Sequence, residues 1–433
     1  MKDFENIIGY ESVKKELRQI SDVLKNKEFY EKLGVRAPRG LLLYGEPGVG
    51  KSLMANSVIK ASGRKAFVCR KDKPNGEFVN EIKKTFNAAA EAAPSIVFLD
   101  DMDKFANGDE EYPDAEEYVT VQSCIDEVKD KEVFVVATAN RISALPESLM
   151  RVGRFDRTIK IFNPRGEDAK KIIEFYLKKT KCADGLDAAE ISRLMHGKSC
   201  AELETVINEA GIFAGFERSD IITMAHFLKA YLHTIYKVQI DNLLNNELNV
   251  SLAGGRDLMT NIIYHEAGHT TVREVLMPGS VMLVTAYGCF GEPGGITMFY
   301  DTDETVIEDA YSKIIGGLGG CAATELKFGL RDMGSSGDFD KVFDVVKELI
   351  THDCTSGFSI HSCGWRDSEL LKYDQEKTVA TEVERYFMKA KEIIAANTEL
   401  FEAIAHALAK KGILTFEDIQ KIKEECRIVH IAV

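Results

Sequence analysis

Residues 39–52 read Arg39-Gly40-Leu41-Leu42-Leu43-Tyr44-Gly45-Glu46-Pro47-Gly48-Val49-Gly50-Lys51-Ser52. The apolar run Leu41 to Tyr44 has the length and character of a strand buried on both faces of a parallel sheet. The adjoining segment, Gly45 to Ser52, satisfies G-x-x-x-x-G-K-[ST], a turn that leads from a strand into a helix. Its glycines let backbone N–H groups wrap a phosphate, and the helix start adds the positive end of its dipole. Gly45, Pro47, Gly48, Val49 and Gly50 would form the cradle, with Leu53 on the first helical turn beyond it. Lys51 would reach the β- and γ-phosphates of ATP, and the Ser52 hydroxyl would ligate Mg²⁺. Strand, loop and helix together predict an α/β domain around a parallel sheet.

Further along, Ile96-Val97-Phe98-Leu99 and Val133-Phe134-Val135-Val136-Ala137 are two more strand-sized apolar runs. The first ends in Asp100-Asp101. Asp100 is placed to hold Mg²⁺ through water, and Asp101 to orient or deprotonate the attacking water. The second runs into Asn140, which can position that water near the γ-phosphate. Arg151-Val152-Gly153-Arg154-Phe155-Asp156-Arg157 then crowds three arginines into seven residues. Arg154 and Arg157 read as arginine fingers offered to a neighbouring subunit's nucleotide, which would make oligomerisation compulsory for hydrolysis. A solvated basic surface would look the same. Asn163-Pro164-Arg165-Gly166 ends the α/β pattern, and from Glu167 to about Tyr236 only helical periodicity remains. These breaks predict a nucleotide-binding α/β domain over 1–165, a small helical domain over 166–238, and a third domain over 239–433.

The third domain carries Tyr264-His265-Glu266-Ala267-Gly268-His269. Histidines four apart on a helix stand one turn above each other, so both imidazoles can reach one metal ion. Glu266 falls beside the open position of such a metal, where it can act as general base on a water. H-E-x-x-H is the pattern of zinc peptidases. Ser251 to Arg256 reads as a linker turn before this helix. The remainder reads as mostly helical, with a short strand at most in the Gly-rich stretch Tyr287 to Tyr300. Two amphipathic helices around Gly412 are expected between Glu382 and Cys426. His352-Asp353-Cys354 and His361-Ser362-Cys363 make a doubled H-x-C that a structural zinc could use, although cysteine is often just a small buried residue. Trp365, the single tryptophan, is expected to pack rather than bind. Asp109-Glu110-Glu111 with Glu116-Glu117 reads as a solvated acidic loop.

The chain has 433 residues and a formal charge of −14. That length suits two to four domains, and that charge argues against a nucleic-acid partner, which would need a basic face. Nine cysteines with no C-x-x-C pair do not form a disulfide framework and suit a reducing cytoplasm. No stretch approaches the roughly 18 continuous apolar residues of a membrane span, and Met1 to Glu5 has no secretory character.

The phosphate loop, the strand-end acids and Gly153-Arg154-Phe155-Asp156-Arg157 resemble the AAA+ ATPases. With the zinc helix, nearly the whole chain resembles the FtsH-type ATP-dependent metalloproteases. The resemblance implies a P-loop α/β domain, a small helical lid and a mostly helical zincin-type peptidase domain. It implies Zn²⁺, ATP and Mg²⁺ as cofactors, and a homohexameric ring that threads unfolded or misfolded proteins through a pore into a peptidase chamber. Ser199-Cys200-Ala201-Glu202-Leu203 is similar to the family's lid motif, which puts Cys200 and Ala201 near the adenine, together with Gly9 of Ile7-Ile8-Gly9-Tyr10. The family's third zinc ligand is an aspartate closing a G-x-x-x-D stretch. Gly334-Ser335-Ser336-Gly337-Asp338 fits it and designates Asp338, which as a residue type would also serve as a plain helix cap. Gly294-Gly295-Ile296-Thr297-Met298 resembles the family's rim strand, against which an extended peptide could pair. Gly316 to Leu326 resembles a small-residue segment packed on the zinc helix, with Glu325 as a supporting partner of the metal site.

Three departures stand out. Asp101 replaces the family's glutamate and is one methylene shorter. The aromatic pore loop is reduced to Asp72-Lys73-Pro74-Asn75-Gly76-Glu77-Phe78-Val79, where Phe78 either grips substrate or packs at a helix start. The family's N-terminal membrane spans do not appear in this sequence, which is either a naturally soluble relative, the reading that the starting Met1 favours, or a trimmed piece of a longer protein. The function expected is ATP-dependent zinc endopeptidase. A zinc peptidase without an effective motor and a remodelling chaperone with a vestigial zinc site are the alternatives.

Overall fold

The computed structural model describes residues 4–34, 36–106, 115–183, 186–239, 241, 243, 248–300, 307–330, 336–352 and 369–431. The chain divides into two compact units, residues 1–227 and 228–433. The sheet and the helices after it share the first unit. Residues 109–111, 353–354, 361–363 and Trp365 lie outside the described residues, as do Gly334 and Ser335. Glu116 and Glu117 open a helix rather than belong to a loop.

The first unit holds a five-stranded sheet of β1 (Gly40–Tyr44), β2 (Lys65–Cys69), β3 (Ser95–Leu99), β4 (Val133–Ala139) and β5 (Arg157–Lys160), in the order β2-β3-β4-β1-β5. All four pairings are parallel. The central β3 and β4 are buried throughout, the unbroken apolar type that a two-sided sheet requires. The edge strands β2 and β5 are half exposed and carry Lys65, Arg157 and Lys160. For that reason β5 left no apolar run to read, and β2 offers only the four residues Ala66 to Cys69.

Helices α1 (Glu11–Lys25), α2 (Lys27–Lys32), α3 (Lys51–Ser62), α4 (Asn75–Glu91) and α5 (Glu116–Glu127) accompany the sheet. After it come α6 (Gly166–Leu177), α7 (Ala188–Leu194), α8 (Cys200–Phe216) and α9 (Met224–Tyr236), the last running across the division. Ser199 and Glu202 form a reciprocal capping box at the start of α8. Tyr44 pairs with Ala139, and Leu99 with Ala137. This register brings the residues after β1, β3 and β4 to one edge of the sheet, the usual ligand edge of open α/β folds.

The second unit is built around α10 (Leu258–Leu276), capped by Asp257, which accepts from the Thr260 amide at 2.8 Å. Nearly every residue from Thr260 to Val275 is buried, so this helix is covered on all sides. It is enclosed by α11 (Ile307–Gly317), α12 (Gly319–Phe328), α13 (Ser336–Thr351), α14 (Glu369–Ala396), α15 (Thr398–Lys411) and α16 (Phe416–Glu425). A Cβ on Gly268 would lie 2.4 Å from the Gly319 carbonyl oxygen, so only glycine permits α10 and α12 to approach this closely.

This unit also contains an antiparallel sheet, β7-β6-β8, of β6 (Val281–Thr285), β7 (Ile296–Phe299) and β8 (Ile413–Thr415). The structure adds to the expectations from sequence at two points. The Gly-rich stretch holds the expected short strand, which belongs to a three-stranded sheet. Around Gly412 the chain forms a helix, a short strand and a helix, because Gly412 at φ 74° turns the backbone out of α15 into β8.

Candidate metal centre and nucleotide loop

One turn of α10 separates His265 from His269, and their Nε2 atoms lie 3.0 Å apart. Asp338 Oδ2, from the first turn of α13, lies 3.1 Å from His265 Nε2 and 3.3 Å from His269 Nε2. These spacings match the edge of a tetrahedron with metal–ligand bonds of 2.0–2.1 Å, about 3.3 Å. Among the described residues this trio is the group whose ligand atoms converge enough for a metal ion, all within 4.8 Å of one another.

Gly320 of α12 completes the cradle. A Cβ there would sit 2.5 Å from both Nε2 atoms, in the space an ion needs. His269 Nδ1 is 2.8 Å from the Gly316 carbonyl oxygen. It must donate to that acceptor, which leaves the Nε2 lone pair for the metal. Burial alone would raise the Asp338 carboxyl, but the hydrogen bonds and charges of His265 and His269 hold it well below the usual carboxylate range. Burial would lower His269, yet Asp338 and Glu266 outweigh it and leave the imidazole raised. The donor set fits zinc.

Glu266 is buried beside the trio. Thr297 of β7 donates to Glu266 Oε2 at 2.6 Å, and a Cβ on Gly295 would lie 2.8 Å from Oε1, so a bare backbone borders the carboxylate. Ile262, His265, Glu266, Gly295, Thr297 and Asp338 line a cleft of about 850 Å³. Because β7 is an edge strand of its sheet, an extended peptide can add beside it. Gly316, Gly320 and Thr297 were not singled out for these contacts from the sequence. Glu325, expected to support the metal, instead pairs with Lys391 at 3.1 Å, and the partner of His269 is a backbone carbonyl.

In the first unit the phosphate loop adopts backbone angles that glycine allows, with φ 149°, 81° and 95° at Gly45, Gly48 and Gly50. Lys51 Nζ donates to the carbonyls of Gly45 and Glu46, both at 2.8 Å, and to Asn140 Oδ1 at 2.9 Å. Asp100 Oδ1 accepts from Ser52 Oγ at 2.9 Å and from Thr138 Oγ1 at 2.8 Å, while Arg70 pairs with Oδ2. Burial would raise the Asp100 carboxyl, but Arg70, Thr138 and Ser52 hold it below its ordinary value.

Asp101, in left-handed backbone at φ 56°, pairs with Lys104 at 2.7 Å. From α8, the Ala201 amide donates to the Gly48 carbonyl at 3.1 Å, and Cys200 Sγ lies 3.8 Å from the Val49 carbonyl and 3.5 Å from the Tyr10 hydroxyl. Gly9 precedes Tyr10, whose amide donates to Asp168 at 2.8 Å. Pro47 is exposed, as is Leu53 at 44%. Loop, strand-end acids, Asn140 and lid residues thus share one neighbourhood.

The structure selects one of the two readings of Phe78. Phe78 is fully buried and stacks edge-on with Phe105 at 4.8 Å, so it is a core residue at the start of α4 and cannot grip substrate. Arg154 donates to the Ser148 carbonyl at 2.6 Å and pairs with Asp126 at 2.8 Å. Arg157 is exposed on edge strand β5.

Residues 41–163 match the ATPase family associated with various cellular activities (AAA), and residues 258–422 match peptidase family M41. Relatives span almost the whole chain. The ATP-dependent zinc metalloprotease FtsH of Mesoplasma florum is 29% identical over 97% of this chain and 67% of its own length. That of Pelobacter propionicus is 29% identical over 97% and 70% respectively. FtsH 2 of a Thermoanaerobacter species is 27% identical over 98% and 83%. Among the described residues no helix is long and apolar enough to cross a membrane. With an AAA segment, an M41 segment and a His-His-Asp cluster in the second of them, the chain belongs to the FtsH-type family of AAA ATPases joined to M41 peptidases.

Proposed function

We propose that this protein is an ATP-dependent zinc endopeptidase that degrades unfolded proteins as a homohexameric ring in the cytoplasm. Its working parts are a nucleotide domain over 1–165, a lid over 166–238 and a peptidase domain over 239–433. The observation that carries the reading is the convergence of His265, His269 and Asp338 beside Glu266 in a cleft bordered by an open strand edge.

His265, His269 and Asp338 hold zinc, which when bound supplies a Lewis acid that polarises the scissile carbonyl and acidifies water. Glu266 takes the proton of the attacking water and returns it to the leaving amine nitrogen. Thr297 holds the other oxygen of that carboxylate, and β7 aligns the peptide backbone. In the nucleotide domain Lys51 binds the phosphates, Ser52 and Asp100 hold Mg²⁺, and Asp101 and Asn140 orient water. Gly9, Cys200 and Ala201 border the adenine.

The test is degradation of an unfolded protein with and without ATP, using Lys51→Ala as the blank. Loss of cleavage in both the ATP-free sample and the variant is expected. The buried Phe78 favours one second reading, a zinc peptidase for which ATP is an assembly ligand rather than a motor fuel. ATP-independent cleavage of a short peptide, with no ATP-stimulated degradation of a folded substrate, would select it.

A further inference from the structure

We infer that Arg70 is an internal competitor of Mg²⁺ for Asp100 and so sets how much Mg²⁺ the nucleotide site requires. This rests on the proposed reading of Gly45–Ser52 as an ATP site. Asp100 is 2% exposed, and a buried carboxylate needs a positive neighbour to remain ionised. Lys51 does not provide one, since its ammonium is directed to the Gly45 and Glu46 carbonyls and to Asn140. Arg70 does, through one guanidinium nitrogen on Oδ2, while Ser52 and Thr138 occupy Oδ1.

Ser52 and Asp100 are the pair that would hold Mg²⁺, so two cations draw on a single carboxylate. The arginine is built to yield. Its side chain is 65% exposed, so water receives the guanidinium when it swings away. The backbone beside it is anchored, because the Cys69 carbonyl accepts from the Asp100 amide at 3.0 Å and Lys71 is held by the Phe105 carbonyl and Glu117. Displacement is therefore a rotation of one side chain rather than a shift of the strand. Its charge opposes a second cation from either position, and by reciprocity binding of Mg²⁺ weakens the Arg70–Asp100 pair.

The experiment measures the affinity of the full-length assembled protein for a fluorescent, non-hydrolysable ATP analogue, in excess Mg²⁺ and in EDTA. The ratio of the two dissociation constants gives the gain due to the metal. Arg70→Gln should raise that ratio by about three- to tenfold, the strength of a charge-assisted bond from an exposed arginine, with the EDTA value moving less than about twofold. Arg70→Lys, which keeps the charge, should stay within about twofold of the parent. An unchanged ratio in Arg70→Gln overturns the inference, as does weaker binding in EDTA, which would make Arg70 a phosphate contact instead. A parent that binds no analogue in either condition removes the ATP site, and this role with it.

Discussion

Gly320→Ala should weaken zinc binding severely without altering any ligand. The added methyl carbon would stand 2.4 Å from His265 Cε1 and 2.5 Å from each Nε2. Ordinary carbon contacts begin near 3.4–3.5 Å, so the imidazoles must retreat by about 1 Å. Zinc–nitrogen bonds of 2.0–2.1 Å tolerate deviations of about 0.2 Å, so at least one histidine leaves bonding range. Losing one of three protein ligands should weaken zinc by at least about 100-fold, equivalent to about 2.7 kcal/mol. The fold should survive, because Gly320 lies inside α12 at negative φ, where alanine is favoured over glycine by about 0.8–1.0 kcal/mol. The assay is zinc competition against a chromophoric chelator, with circular dichroism to follow the helices. Gly337→Ala, beside Asp338 but with open space around a new Cβ, is the control that should bind zinc normally. Zinc affinity in Gly320→Ala within about threefold of the parent would refute the placement of the metal between these three side chains.

Glu266→Gln should lower kcat for peptide cleavage by at least about 100-fold, the usual contribution of a general base, with zinc content and ATPase rate kept; retained cleavage would remove the base. Thr297→Val removes the 2.6 Å hydrogen bond that orients Glu266 and should reduce kcat about tenfold with KM little changed, while Thr297→Ser should restore it. A pure KM effect would instead assign Thr297 to peptide docking. Phe78→Ala should destabilise the nucleotide unit by about 3–5 kcal/mol, read from amide exchange across residues 75–105 in urea. A residue that only gripped substrate would change stability by about 0.5 kcal/mol or less.

The nucleotide strands β1, β3 and β4 were legible because each is buried on both faces and therefore apolar without interruption. The edge strands were not: β5 carries exposed arginine and lysine, and β2, partly exposed, offers only the short run Ala66 to Cys69. In the peptidase unit β6 is a fully buried five-residue run that apolar content alone does not distinguish from a helix. Its partner β8 is three residues long, below the length at which alternation can be recognised. Phe78 shows the limit most plainly. Its neighbours in sequence place it in a loop-like segment, but Phe105, 27 positions on, is what buries it.

The sequence alone determined the parts whose chemistry is written in local spacing. These are the loop Gly45–Ser52, the acids at a strand end, and two histidines one helical turn apart with a glutamate between them. Only the tertiary structure decided what meets across long separations. It seated Asp338, which the family resemblance had designated, against histidines 73 and 69 residues away, gave Glu266 its partner in Thr297, turned Arg70 onto Asp100, and left the ion-sized space at Gly320. The physical reason is that helical and strand periods are short-range properties of the chain. Burial, close approach and charge pairing between distant residues exist only once whole elements have packed.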